Sequence, residues 1–193
     1  MNNAANGNRS GRDNHEIVVV GGSAAGLYTA AHVARGGKAV RVLESLPSLD
    51  PAERTLIVTD HFKTQISATA RSSILNEIKR FELFTNGRSA QVALKRPDLI
   101  IERSRLIRAL GEEAQQAGAS MSYDTRFLGL SPNGCGLRVE VDQAGRKEEW
   151  HADSVVGADG AVSRVARAAG WPACGTGCSR CYGCLSAARL PAT

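Results

Sequence analysis

The chain has 193 residues, 42% hydrophobic and 22% charged, enough to bury the core of one domain. A net charge of +5, scattered arginines and 5% aromatic residues give no basic-aromatic face, so no nucleic-acid partner is expected. No apolar stretch reaches membrane-spanning length and no secretory signal opens the chain; no integral membrane segment and a cytoplasmic location are expected.

Met1–His15 is rich in Asn, Gly, Ser and Arg and reads as a disordered leader, residues 1–15. The domain that follows, residues 16–170, opens with Glu16–Gly26, EIVVVGGSAAG. Ile17–Val20 reads as a buried parallel strand, Gly21-Gly22 breaks it, and a helical pattern runs from Ala24 to Arg35. Strand, tight glycine turn and helix make a dinucleotide-binding turn. Gly21 and Gly26 fill the outer positions of Gly-x-Gly-x-x-Gly, and Ser23 stands where the middle glycine belongs. Serine is small, and its hydroxyl suits a phosphate oxygen. Gly21, Gly22, Ser23, Ala24, Ala25 and Gly26 are therefore expected to wrap a pyrophosphate, with the free N–H groups of the helix aimed at it. Ala39–Glu44, AVRVLE, is a second strand, ending on a carboxylate about 18 positions past Gly26. Glu44 is placed to accept from both hydroxyls of an adenosine ribose; the alternative is a solvated strand end.

Residues 54–97 read as an inserted β segment. Its expected strands are Thr55–Thr59, Phe81–Phe84 and Ala90–Leu94, with a turn at Asn86-Gly87. In Pro97–Gly118, a strand at Leu99–Ile101 feeds a helix with Leu106, Ile107, Leu110 and Ala114 on one face. Arg103 opens that helix. A cation there opposes the macrodipole, so a partner phosphate explains its place; the alternative is a basic solvated face shared with Arg105 and Arg108. Ser120–His151 reads as a meander, with strands near Arg126–Leu130, Leu137–Val141 and Glu148–His151 and turns at Asn133-Gly134 and Ala144-Gly145. Ser154–Arg164, SVVGADGAVSR, is a short strand running into Gly157-Ala158-Asp159-Gly160, with a helix beginning near Ser163. His32, His61 and His151 have no recognisable Ser or Cys partner and are expected to be structural.

Residues 171–193 form a Cys-rich tail without helix or strand periodicity. Its Cys174, Cys178, Cys181 and Cys184 have the spacing C-x3-C-x2-C-x2-C. Structural zinc ligands usually come as two separated pairs, so no metal site is expected and those four cysteines remain the alternative set. Cys135 reads as a lone exposed thiol.

The Asp-Gly segment at Asp159-Gly160, combined with EIVVVGGSAAG and Glu44, resembles the superfamily of flavoprotein monooxygenases and geranylgeranyl reductases. The resemblance covers roughly residues 15 to 170. It implies an α/β fold: a Rossmann-like FAD/NAD(P)-binding domain with a central parallel sheet, a β-meander and an inserted β segment on the substrate side. It implies FAD as cofactor, NAD(P)H as a possible electron donor, and a small organic or isoprenoid substrate, either hydroxylated with O₂ or reduced at a double bond. It places Arg103 at the FAD pyrophosphate and Asp159 beneath the cofactor. The family's second flavin motif, Gly-Asp followed by a proline-glycine stretch, is absent from these 193 residues, so a fragment ending after the Asp-Gly motif is expected. Two other readings stay open: an NAD(P)-binding module without flavin, and a non-catalytic truncated product whose cysteine tail binds metal or a partner.

Overall fold

The computed structural model of the protein describes residues 17–134, 136–171 and the backbone of Ser186–Ala187. Strand β1, Ile17–Val20, leads through the glycine turn into helix α1, Ala24–Arg35, and strand β2, Val40–Leu43. The inserted segment carries β3, Thr55–Val58, a one-turn helix α2, Phe62–Gln65, a 3₁₀ turn at Ala70–Ser73, and the long strands β4, Ile74–Thr85, and β5, Arg88–Glu102. Helix α3, Arg103–Gln116, then leads to β6, Ser120–Ser122. The meander follows as β7, Thr125–Asn133, β8, Gly136–Gln143, and β9, Arg146–Ala152. Strand β10, Ser154–Gly157, helix α4, Arg164–Ala168, and β11, Ser186–Ala187, complete the order.

The central sheet runs β11-β10-β1-β2-β6. Its four strands β10, β1, β2 and β6 are parallel, and β11, inside the Cys-rich tail, pairs antiparallel with β10. The order β6-β2-β1-β10 is that of a doubly wound fold, as expected. Because successive side chains of a strand face opposite ways, the sheet divides its valines between two cores. Val19, Val40 and Val42 pack against α1 and α3 through Leu27, Ala30, Leu106 and Ile107. Val18, Val20, Leu43 and Val155 pack against the meander through Phe127, Val139 and Val141. Each such fully buried side chain contributes about 1.5–3 kcal/mol. A guanidinium joins the layers as well: Arg41 of β2 lies over the Trp150 ring of β9, 4.6 Å from its centroid.

The tail expected to be irregular contains a two-residue strand, β11, and two further sequence expectations need correcting. The strands expected at Ala90–Leu94 and Leu99–Ile101 are one strand, β5, which passes through Pro97. Proline has no ladder donor. It is accommodated where the register shifts, for Ile78 pairs with Asp98 whereas Arg80 pairs with Ala93. Strand β4 likewise extends well beyond the expected Phe81–Phe84, and the hairpin turns at Asn86 (φ 43°) and Gly87 (φ 74°), as the Asn-Gly pair requires. The second correction is at Ser120. Ser120–Ser122 belongs to the parallel sheet, and the meander starts at Thr125. Three residues reading Ser-Met-Ser carry too little periodicity to declare a strand.

Candidate functional site

The glycine turn is held by contacts that leave no space for side chains. Gly21 has φ 109°, and its N–H donates to the Leu43 carbonyl at 2.8 Å. A Cβ there would lie 2.5 Å from the Ala158 carbonyl oxygen, and a Cβ on Gly26 would overlap the Gly21 carbonyl oxygen. Both outer glycines are thus needed for backbone-to-backbone approach. Ser23 is the N-cap of α1: its hydroxyl accepts from the Gly26 N–H at 3.3 Å and donates to the Ala158 carbonyl at 3.1 Å. In this arrangement the serine hydroxyl ties the turn to the Asp-Gly segment. The N–H groups of Ala24 and Ala25 have no acceptor among the described residues, the free donors of a helix start. Ala24 itself packs towards the core, and Gly26 is buried.

Glu44 lies one residue beyond β2, half-buried. Its Oε2 accepts from the Gly22 N–H at 2.9 Å. Its Oε1 accepts from the Leu46 N–H at 2.9 Å and the Ser45 hydroxyl at 3.2 Å. It is thus fixed against the turn rather than loose at a strand end. Burial, with the Glu44 charge behind it, pushes the Tyr123 phenol up.

Asp159 is spoken for by helix α4. Its Oδ1 accepts from the Ser163 hydroxyl at 2.6 Å, and its Oδ2 from the N–H groups of Arg164 at 2.6 Å and Val165 at 3.2 Å. The Ala158 N–H donates to the Val20 carbonyl at 2.8 Å, which brings the Asp-Gly segment beside the glycine turn.

Arg103 begins α3, half-buried, and its guanidinium has no partner among the described residues. The macrodipole argument for it does not hold, because Glu102, which sequence reasoning passed over, caps the helix. The Glu102 carboxylate accepts from the Ser104 N–H at 2.9 Å, the Ser104 hydroxyl at 2.7 Å and the Arg105 N–H at 2.8 Å. The Ser104 hydroxyl above all, then these backbone donors and the Arg105 charge, holds Glu102 at about 2 against an ordinary 4.5. A Glu followed by a Ser two positions on was the available signal.

These elements surround one open cleft of about 1220 Å³, above the usual ligand-pocket range of about 300–1,000 Å³. Gly21, Gly22, Ser23, Ala25, Glu44, Arg103 and Asp159 line it; Ala24 and Gly26 lie behind. The lining also includes residues that the sequence did not single out for this purpose: the segment after Glu44, Arg126 of β7, and Arg164 and Arg167 of α4. Among the described residues no group of three metal-ligating side chains occurs. Cys135, Cys174, Cys178, Cys181 and Cys184 lie outside the described residues.

The cleft suits a dinucleotide with a pyrophosphate: free helix N–H groups at one point, a fixed carboxylate beside them, and an unpaired guanidinium on the facing helix. The family model described as FAD binding domain matches residues 14–189. The digeranylgeranylglycerophospholipid reductase of Methanosarcina acetivorans is 28% identical over 166 residues, covering 82% of this chain and 41% of that protein. The enzyme of the same name from Methanothrix thermoacetophila is 30% identical over 165 residues, covering 80% and 41%. The flavin-dependent monooxygenase PieE, solved in complex with FAD and substrate, shares the fold with a TM-score of 0.71 at 18% identity, over 81% of this chain and 32% of that one. The chain spans about two fifths of the length of these two reductases. The matched span contains the glycine turn, Glu44, Arg103 and the Asp-Gly segment, and the chain belongs to the FAD-binding domain family.

Proposed function

We propose that this chain is the FAD-holding part of an oxidoreductase of the monooxygenase or geranylgeranyl reductase type. The observation that carries the reading is the convergence of the free Ala24 and Ala25 N–H groups, Glu44 and Arg103 on one cleft. The N–H groups and the Arg103 guanidinium would take the pyrophosphate. Glu44 would take the adenosine ribose. A carboxylate offers about four lone-pair positions. Oε2 has given one to Gly22, and Oε1 regains one when the exposed Ser45 hydroxyl turns away. Gly21 and Gly22 allow close backbone approach. Asp159 would act indirectly, by fixing α4 and the Asp-Gly turn beneath the cofactor.

Bound FAD supplies the redox chemistry, while the protein supplies position and electrostatics. On this reading NAD(P)H is the electron donor and the substrate is a small organic or isoprenoid molecule. No helix among the described residues is long and apolar enough to cross a membrane, and a cytoplasmic location accords with that. Titration calorimetry with FAD and with NADH tests the cofactor assignment. FAD is expected to bind more tightly; tighter NADH binding with no FAD signal would instead favour a nicotinamide-binding module.

A further inference from the structure

Helix α3 contains a glycine, Gly111, in its buried interior. Glycine is among the least favourable residues in a helix interior, so its presence calls for a local reason. A Cβ built on Gly111 would overlap Leu49 Cδ1. The other methyl of the same leucine fits a second glycine: a Cβ on Gly22 would lie 2.9 Å from Leu49 Cδ2. Leu49 therefore occupies a notch with one wall on α3 and the other on the dinucleotide turn.

Residues 45–51 carry this leucine along one side of the cleft. The segment is mostly exposed, and Leu46, its other leucine, is 54% exposed, whereas Leu49 packs against the core. The remaining ties are polar and peripheral. The Leu46 N–H donates to Glu44, and the Leu46 carbonyl accepts from the Asp124 N–H at 3.1 Å. Asp50 accepts from Arg108 at 2.6 Å, but both side chains are largely solvated, so that pair holds weakly. Arg108 and Gly111 stand three apart on α3 and share a face.

The geometry points to Leu49 as a positioning residue: seated between Gly22 and Gly111, it clamps residues 45–51 as the outer wall beside Glu44 and thereby sets how long the dinucleotide stays bound. This rests on the reading that the cleft holds FAD. Leu49 would act by keeping the wall closed over the ribose end and by holding Glu44 through the short chain between them, without taking part in chemistry.

The test is a cycle of Gly111→Ala, Leu49→Ala and the double variant in the full chain. Alanine favours the helix and displaces only the tip of a flexible side chain, so Gly111→Ala should fold. FAD release is followed by flavin fluorescence after dilution. Each single variant is expected to raise the release rate about tenfold with a nearly unchanged association rate, as interface changes usually do. The double variant should match either single one, because both break the same contact. An unchanged release rate in Gly111→Ala, or single effects that multiply in the double variant, would overturn the assignment. Hydrogen exchange of the cofactor-free chain gives a second readout. Backbone amides of residues 45–51 should exchange faster in both single variants, with α3 protection kept. Should the unaltered chain bind no FAD, the functional reading fails and exchange decides alone. Unaltered exchange of residues 45–51 in Gly111→Ala then refutes the notch, and accelerated exchange upholds it as an anchor.

Discussion

Glu44 does two things at once: it receives the Gly22 N–H within the turn, and it faces the cleft where a ribose would lie. Hydrogen bonds to a charged group are worth roughly 1.5–3 kcal/mol each. Glu44→Ala is therefore expected to weaken FAD binding at least about tenfold, as read by calorimetry, while the protein stays folded; an unaltered dissociation constant would leave Glu44 a purely internal brace. Gly26→Ala should behave differently, because its Cβ would strike the Gly21 carbonyl oxygen, which is backbone and does not rotate away. A loss of about 3 kcal/mol or more is expected in urea unfolding, and a loss below about 1 kcal/mol would show that the turn yields. Both residues were legible in the sequence because glycine spacing and a carboxylate at a strand end are positional signals. Glu102 was not. Its role depends on the exact residue at which α3 begins, and hydrophobic periodicity fixes a helix start only to within a residue or two. Ser23 was legible as part of the turn, but its hydroxyl bond to Ala158 joins residues 135 positions apart, which local reading does not reach.

Short-range caps also hold α3 and α4, the other two helices that face the cleft. The Glu102 cap on α3 titrates in an accessible range. Its carboxyl sits at about 2 in the folded chain against an ordinary 4.5, so the unfolded state binds more protons between those values. The stability from this cap is complete above pH 4.5 and drains as the pH falls towards 2. Glu102→Gln should lower the melting temperature at pH 7 and make the acid decline shallower; parallel pH profiles for the two proteins would remove Glu102 from the acid transition. On α4, Asp159 and Ser163 cap a helix of only five residues, and the Asp-Gly pair was read from sequence for its turn rather than for this cap. Strand lengths in the insert were underread for a physical reason. Pro97 looks like a terminator, yet the register shift between Ile78 and Arg80 removes the need for its missing donor.

Across the molecule, apolar exposure is concentrated in the inserted sheet, whose strands lie in the order β3-β5-β4. Leu56, Ile57, Leu75, Leu83, Phe84 and Val92 are all exposed there, Phe84 by 74%. Phe84→Ser is expected to change folding stability by less than about 0.5 kcal/mol and to reduce self-association in light scattering; a cost above about 1 kcal/mol would mean that the ribbon is packed in solution. Of the central sheet, by contrast, β1, β2 and β10 were readable, since each is a short apolar run bounded by glycine or charge, whereas the edge strands β6 and β11 were too short to carry a pattern. The position of β10 beside β1 also sets an order of construction during synthesis. By the time Leu43 has been made, β1 has one neighbour, but its other edge stays bare until residues 154–157 arrive. The whole insert and meander must be translated in between, and pairings of such sequence separation are slow to close. The Ala158 carbonyl that accepts from Ser23, and the segment lying under the cleft, therefore follow both of them. Cofactor capture would thereby wait for residues 154–160: a ribosome-bound chain stalled before Gly157 has both outer glycines and Glu44, and still lacks the floor on which a flavin nucleotide would rest.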